Sequence, residues 1–216
     1  MDTRATHTVN DPKTKLSARL WESTKGIRDM AINTDFVQGI KNGKLDPEKF
    51  GVFCVEDSIY LYKQQHNIKV ATEKAKPYPD QYTYLHKRID SYKTLYEAEF
   101  KKWHVGKPEG ISLGKDLKEY MDYEEDVALN RQSIYFLVAL IPCLKLWPWL
   151  GQQIKDGNHG IYNDWAKANL DPDYVGFKTV DALIDEADEK GGIQEDEAMK
   201  IYTKCMEGEY KFFNSI

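Results

Sequence analysis

Apolar residues recur along this chain at intervals of three and four, and no stretch alternates strictly. That spacing lays apolar side chains along one stripe of an α-helix, so the pattern predicts helices and no sheet. Leu16, Leu20, Ile27 and Ala31 predict a first helix over residues 16–32. A short helical turn follows over 35–40, and Asn42-Gly43 breaks the chain. Asp46 is a good cap and Pro47 suits a first helical position, so a long helix opens there and runs to about Ala75. One of its stripes is Phe50, Phe53, Asp57, Tyr60 and Gln64; another is Val52, Val55, Ile59 and Tyr62. A helix apolar on two sides is central. Pro77 and Pro79 close it and open a helix with the stripe Tyr82, Leu85, Ile89, Tyr92, Tyr96, Phe100 and Trp103, ending near Val105. After a loop over 106–114, Leu117, Tyr120 and Met121 face inward on a helix that leads into the acidic run 119–126, read as a solvated face. The most apolar element, 129–154, contains Pro142, which predicts a kink or break. A short helix covers 161–168. Asp171-Pro172 repeats the cap-then-proline start ahead of Phe177, Val180, Ile184 and Ala187, and Gly191-Gly192 stops that helix. The last helix, 194–213, turns Tyr202, Met206, Glu209 and Phe213 inward. The sum is one all-α domain over 15–216, a single-domain helical bundle of about eight helices, behind a polar, flexible lead-in over 1–14.

Composition narrows the class. The 216 residues suffice for one sizeable core, and 30% charged with 12% aromatic residues suit a soluble globular protein. A net charge of −5 with mixed signs argues against a nucleic-acid partner. The N-terminus has no apolar signal region, and the run 134–151 is short and carries Lys145, Pro142 and Pro148, so it reads as a buried core helix and no membrane is expected. Three cysteines, an odd number, point to reduced thiols and a cytoplasmic location.

Three residues carry candidate chemistry. Asp57 and Glu209 each stand on an apolar helix stripe, where an unpaired carboxylate costs several kcal/mol. Asp57 is either a core residue bonded to a tyrosine such as Tyr60 or a pocket residue. Cys143 is either a small buried hydrophobe or a nucleophile, and a nucleophile needs a partner that helps it ionise. Lys145, two residues on, points elsewhere on a helix. The five histidines are scattered, with no Glu three residues before any of them, so no metal is expected; no cofactor is expected either. The loop GKPEGISLGKD lacks phosphate-loop spacing.

Four segments together resemble the thiaminase-II (TenA-like) family, which has the haem-oxygenase-like helical fold. They are FVQGIKNGKLDPEKFGVFCVEDSIYLYKQ (36–64), ALIPCLKLWPWLG (139–151), IYNDWAKAN (161–169) and EGEYKFF (207–213). The resemblance implies that Cys143 is the nucleophile that adds to an aminopyrimidine ring. It implies that Glu209 is the acid/base at a ring nitrogen and that Asp57 holds the ring's amino edge, with Tyr60 as its partner. Tyr120, Trp147 and Tyr162 would line the substrate pocket. Trp147 and Asn169 stand where the family usually has tyrosine, and Glu56 stands where glutamine is usual. The implied activity is cleavage of the aminopyrimidine methylene bond of thiamin or a thiamin breakdown product, with water or another small base as acceptor. The alternative is a non-catalytic thiamin or aminopyrimidine binder of the same fold. The resemblance also implies a homo-oligomer, a dimer or tetramer.

Overall fold

The helix opened by Asp46 and Pro47 is the axis of the structure. It is α4 (Pro47–Ala75), and the Asp46 carboxylate accepts from the Glu48 backbone N–H at 2.8 Å, as its cap role requires. The computed structural model describes residues 14–216, with ten α-helices and two 3-10 turns. The expected lead-in over 1–14 lies, apart from Thr14, outside the described residues.

Around α4 pack α5 (Pro79–Trp103), α6 (Lys115–Asn130) and α7 (Ser133–Ile154), and α10 (Glu195–Asn214) closes the bundle against α6 and α7. The first α4 stripe is the buried one, with Phe53 and Gln64 at 0% exposure and Tyr60 at 3%. The second is shallower: Val52 is 49% exposed, and Tyr62 is covered by Tyr96 and Phe100 of α5.

Four sequence expectations change. The helix expected over 16–32 is two, α1 (Leu16–Ser23) and α2 (Lys25–Ile32). The Ser23 and Thr24 hydroxyls bond back to the Leu20 and Trp21 carbonyls, and the Arg28 guanidinium also takes Trp21 O, so local polar groups end the first helix. α3 (Asp35–Lys41) follows as expected, capped by Thr34. α7 starts at Ser133 rather than 129 and runs unbroken through Pro142 and Pro148. Each proline removes one backbone donor, yet residues 136–140 on this helix are all at 0% exposure, and that packing holds the axis. α7 is long and apolar enough to cross a membrane, but 72% of its apolar window is buried inside the fold, as a core helix should be. Asp171 starts no helix; its carboxylate accepts from the Asp173 N–H at 3.0 Å in a local turn, and α9 begins at Phe177 (Phe177–Glu189).

Gly151 lets α7 lie against the segment after α8 (Asn163–Asn169): a Cβ there would fall 1.8 Å from the Leu170 carbonyl oxygen. The expectation of eight helices thus becomes ten, all drawn into one contiguous core.

Candidate active site

Side chains from α4, α6, α7 and α10 converge on Glu209. The stripe that turns Tyr202, Met206 and Phe213 inward also buries Glu209, at 2% exposure. Its carboxylate accepts from the Tyr120 hydroxyl at 2.8 Å and from Trp147 Nε1 at 3.0 Å, and the Cys143 thiol lies close enough for the two groups to shift each other's pKa. Burial raises the Glu209 pKa, and the bonds from Trp147, Tyr120 and Cys143 partly offset that rise. Trp147, in place of the tyrosine that the resemblance leads one to expect, supplies a donor to this carboxylate.

Cys143 is partly buried beside the cluster, on an unbroken helix rather than at a break. Burial pushes its thiol well up, the carboxylates Glu209, Glu124 and Asp57 push it further, and a hydrogen bond with Tyr60 pulls it down. A resting thiol here is neutral. Lys145, as expected, points away, pairing with Asp181 at 3.1 Å over the Trp21 ring. The base within reach of the Cys143 proton is a carboxylate.

Tyr60 and Tyr120 stack at 5.5 Å between ring centres, with hydroxyls 3.3 Å apart. Tyr60 donates to Glu124 at 3.2 Å and not to Asp57, so the core pairing of Asp57 with Tyr60 is absent. Asp57 is partly exposed within the site, and burial together with Glu209 and Glu99 pushes its pKa up to about 8. Aromatic rings pack beside the cluster. Phe53 stacks on Phe212 at 4.5 Å, and Trp147 leans on Phe213 at 5.5 Å and on Trp165 at 6.2 Å. Tyr162 sits one layer out: its ring leans on Phe50 at 4.8 Å and its hydroxyl is spent on the Leu45 carbonyl at 2.5 Å. Asn169 is exposed and bonds to the Trp165 carbonyl.

Two residues went unseen in the sequence. Glu124 was placed on a solvated face and is at 0% exposure, bonded to Tyr60 and Gln64. Its register gives the signal: it lies seven residues after Leu117 and four after Tyr120, on the same stripe. Gly208, beside Glu209, lies flush against Tyr120, where a Cβ would meet the ring at 2.3 Å. Gly208→Ala is expected to push Tyr120 off Glu209 and lower kcat by roughly 10²-fold, because small misplacements at a reacting centre cost that much. Steady-state kinetics on the folded variant read this, and an unchanged kcat would show that the Tyr120 position is immaterial.

Asp57 has a consequence for stability. Its unfolded carboxyl loses its proton near 3.8, while the folded one holds it to about 8. The folded state thus binds the extra proton, and stability falls as pH rises across that window. Asp57→Asn is expected to stabilise the fold by on the order of 3 kcal/mol at the top of the window and by little at its acid end. Urea unfolding at several pH values measures it, and a gain independent of pH would contradict it.

Known proteins resemble this chain over most of its length. The chain is 25% identical over 197 residues to the aminopyrimidine aminohydrolase of Halalkalibacterium halodurans, covering 87% of each chain. It is also 25% identical over 169 residues to the hydroxymethylpyrimidine/phosphomethylpyrimidine kinase THI21 of Saccharomyces cerevisiae, but spans only 29% of that longer protein. Among solved structures, a TenA family transcription regulator from Silicibacter sp. TM1040 superposes with a TM-score of 0.81 at 16% identity, over 94% of this chain and 97% of the other. The TenA homologue of P. horikoshii OT3 gives 0.78 at 20% identity, over 93% and 97%. These two establish the shared fold. The TENA/THI-4/PQQC family model matches residues 21–216, nearly the whole described chain, and the protein belongs to that family.

Proposed function

We propose that this protein is a thiaminase-type hydrolase that cleaves the aminopyrimidine methylene bond of thiamin or of a thiamin breakdown product, with water as acceptor. The observation that carries the reading is one cluster in which Tyr120 and Trp147 fix the buried Glu209 carboxylate, near the partly buried Cys143 thiol whose anion that carboxylate disfavours. The likeness to an aminopyrimidine aminohydrolase over most of both chains supports it.

The steps follow from the groups present. Cys143 passes its proton to Glu209, and Glu209 passes it to a ring nitrogen while sulfur bonds to a ring carbon. The ring, now electron-rich, expels the leaving group from the methylene carbon as the exocyclic double bond forms. Water adds to that carbon and loses one proton to the leaving group or to solvent, the sulfur departs with its bonding pair as the ring nitrogen returns its proton to Glu209, and Glu209 hands that proton back to the thiolate, which restores the thiol and the carboxylate. One hard displacement becomes two easier ones. Asp57, partly exposed within the site, takes the ring's amino edge, and Trp147, Phe53 and Tyr60 flank its faces. Tyr162 supports this wall through Phe50 rather than touching the ring. On the same resemblance, we read the protein as a cytoplasmic homo-oligomer, a dimer or tetramer.

The test is product analysis. Thiamin and a free aminomethyl-pyrimidine are each incubated with the protein, with and without an added organic base. The expected product is the hydroxymethyl-pyrimidine whether or not base is added; no pyrimidine product from either substrate would sink the proposal.

A further inference from the structure

No step above uses Glu124, the most deeply buried carboxylate of the cluster. Four oxygens stand in line: Glu124 Oε1, Tyr60 Oη, Tyr120 Oη and Glu209 Oε1. The gaps between them are 3.2, 3.3 and 2.8 Å. Three hydrogen bonds in a row need three protons, and the two phenols supply two. The third belongs to a carboxyl, so one of the two glutamates is protonated whenever the line is fully bonded.

The outer oxygens of the two carboxyls are matched. Gln64 Nε2 donates to Glu124 Oε2, and Trp147 Nε1 donates to Glu209 Oε2 at 3.0 Å. Asn67 Nδ2 donates to Gln64 Oε1 at 3.4 Å, which fixes the amide with its N–H towards Glu124. Each end of the line thus has one N–H ready for the charged form. A lone buried carboxylate would be costly; a charge that either end can hold is less so.

We propose that Glu124 is a positioning residue that stores a proton for Glu209 and exchanges it through Tyr60 and Tyr120. The proposal rests on the hydrolase reading given above. In one state Glu124 is the acid and all three bonds point towards Glu209; in the other Glu209 is the acid and all three point back. Conversion moves each of the three protons by one oxygen, and the negative charge passes from one glutamate to the other. No bond to carbon changes and nothing is oxidised. Before the thiol gives up its proton, Glu124 is the acid and Glu209 the base; the thiol proton then makes both carboxyls neutral. Once Glu209 has passed one proton to the ring, Glu124 sends the other along the line and Glu209 is again an acid without solvent; the line runs back before the ring nitrogen returns its proton to Glu209. The two gaps at Tyr60 are long for hydroxyl bonds, as catalytic bonds often are before a ligand arrives.

Tyr60 and Gln64 of α4 bond to Glu124, and the other titratable groups close enough to feel its charge are Tyr92 of α5, Tyr120 of its own helix, Cys143 of α7, and Cys205 and Glu209 of α10. All are phenols, thiols, an amide or a carboxyl, so the line exchanges protons among neutral or acidic neighbours.

Glu124→Gln keeps the volume and removes the proton store. It is expected to lower kcat by roughly tenfold or more with KM within about twofold, and to shift the acid limb of the kcat profile. In a Tyr60→Phe background, which already cuts the line, the same change should cost less than about a further twofold. Full additivity there, or a wild-type kcat and pH profile in Glu124→Gln, overturns the relay. A second readout does not need turnover. The infrared carbonyl stretch of protonated carboxyls at neutral pH should change in Glu124→Gln, in Glu209→Gln and in Tyr60→Phe, because one proton is shared. A band unmoved by any of the three overturns the relay even if wild type cleaves pyrimidines, and a band moved by all three upholds it even if no pyrimidine is cleaved.

Discussion

Cys143→Ala is expected to abolish turnover, lowering kcat by on the order of 10⁴-fold or more, as deletion of a covalent nucleophile does elsewhere. The side chain is small and partly exposed, so the fold should tolerate its loss to within about 1 kcal/mol. Affinity for the hydroxymethyl-pyrimidine should stay within about threefold, because the proposed pose assigns the ring contacts to Asp57 and the aromatic side chains. Isothermal titration and single-turnover assays on the same preparation separate the two quantities. Cys143→Ser should be nearly as poor: a hydroxyl is a harder nucleophile than a thiol and its proton is harder to remove at this carboxylate. Undiminished release of pyrimidine by either variant would exclude the covalent route. Tight pyrimidine binding by wild type without any turnover would instead favour a non-catalytic binder.

The neutral resting thiol makes this prediction sharper. Many reactive cysteines are held as thiolates by a nearby cation or a helix N-terminus. Here the neighbours that shift Cys143 most are carboxylates, and they disfavour its anion. In the proposed mechanism the thiolate therefore forms only as its proton leaves for Glu209, which would make nucleophile and acid/base one unit. Alkylation of Cys143 at neutral pH should accordingly be slow in the free protein.

Much of this site was legible in the sequence because helix periodicity alone assigns faces. Asp57, Tyr60 and Glu209 were read on buried stripes, and the order of the four family-like segments joined them to Cys143, Tyr120 and Trp147. What stayed hidden needed contacts between distant helices. Glu124 shares a stripe with Leu117 and Tyr120, but the surrounding acids Glu119, Asp122, Glu125 and Asp126 made the run look solvated. The acidic composition masks the register, and the partners that make burial tolerable, Tyr60 and Gln64, lie 60 or more residues away. The split at Thr24 depends on hydroxyl bonds back to Leu20 and Trp21, which compete with the helix ladder without disturbing the apolar spacing. Pro142 misled in the other direction: a local breaker was outvoted by the packing of the helix around it.

Glu209→Gln carries the second large expected effect. The amide is isosteric and can still accept from Tyr120, so the fold and ring affinity should hold, while kcat falls by roughly 10²- to 10⁴-fold. The pH profile gives the stricter test. Glu209 must be ionised to take the Cys143 proton, and burial raises its pKa above the ordinary carboxylate range. Below that raised pKa both groups are protonated and the thiol proton has nowhere to go, so wild-type kcat should fall as pH drops through it. The limb lies on the acid side because ionisation creates the base. In Glu209→Gln that limb should vanish, leaving a low rate that is flat through the same range. Persistence of the limb in the variant would assign it to another carboxyl, with Asp57 the first alternative, and would remove Glu209 from the proton path. Loss of the limb with kcat unchanged cannot arise if Glu209 carries the proton, so the two readouts together decide the role that its burial, its two fixed donors and its contact with Cys143 suggest.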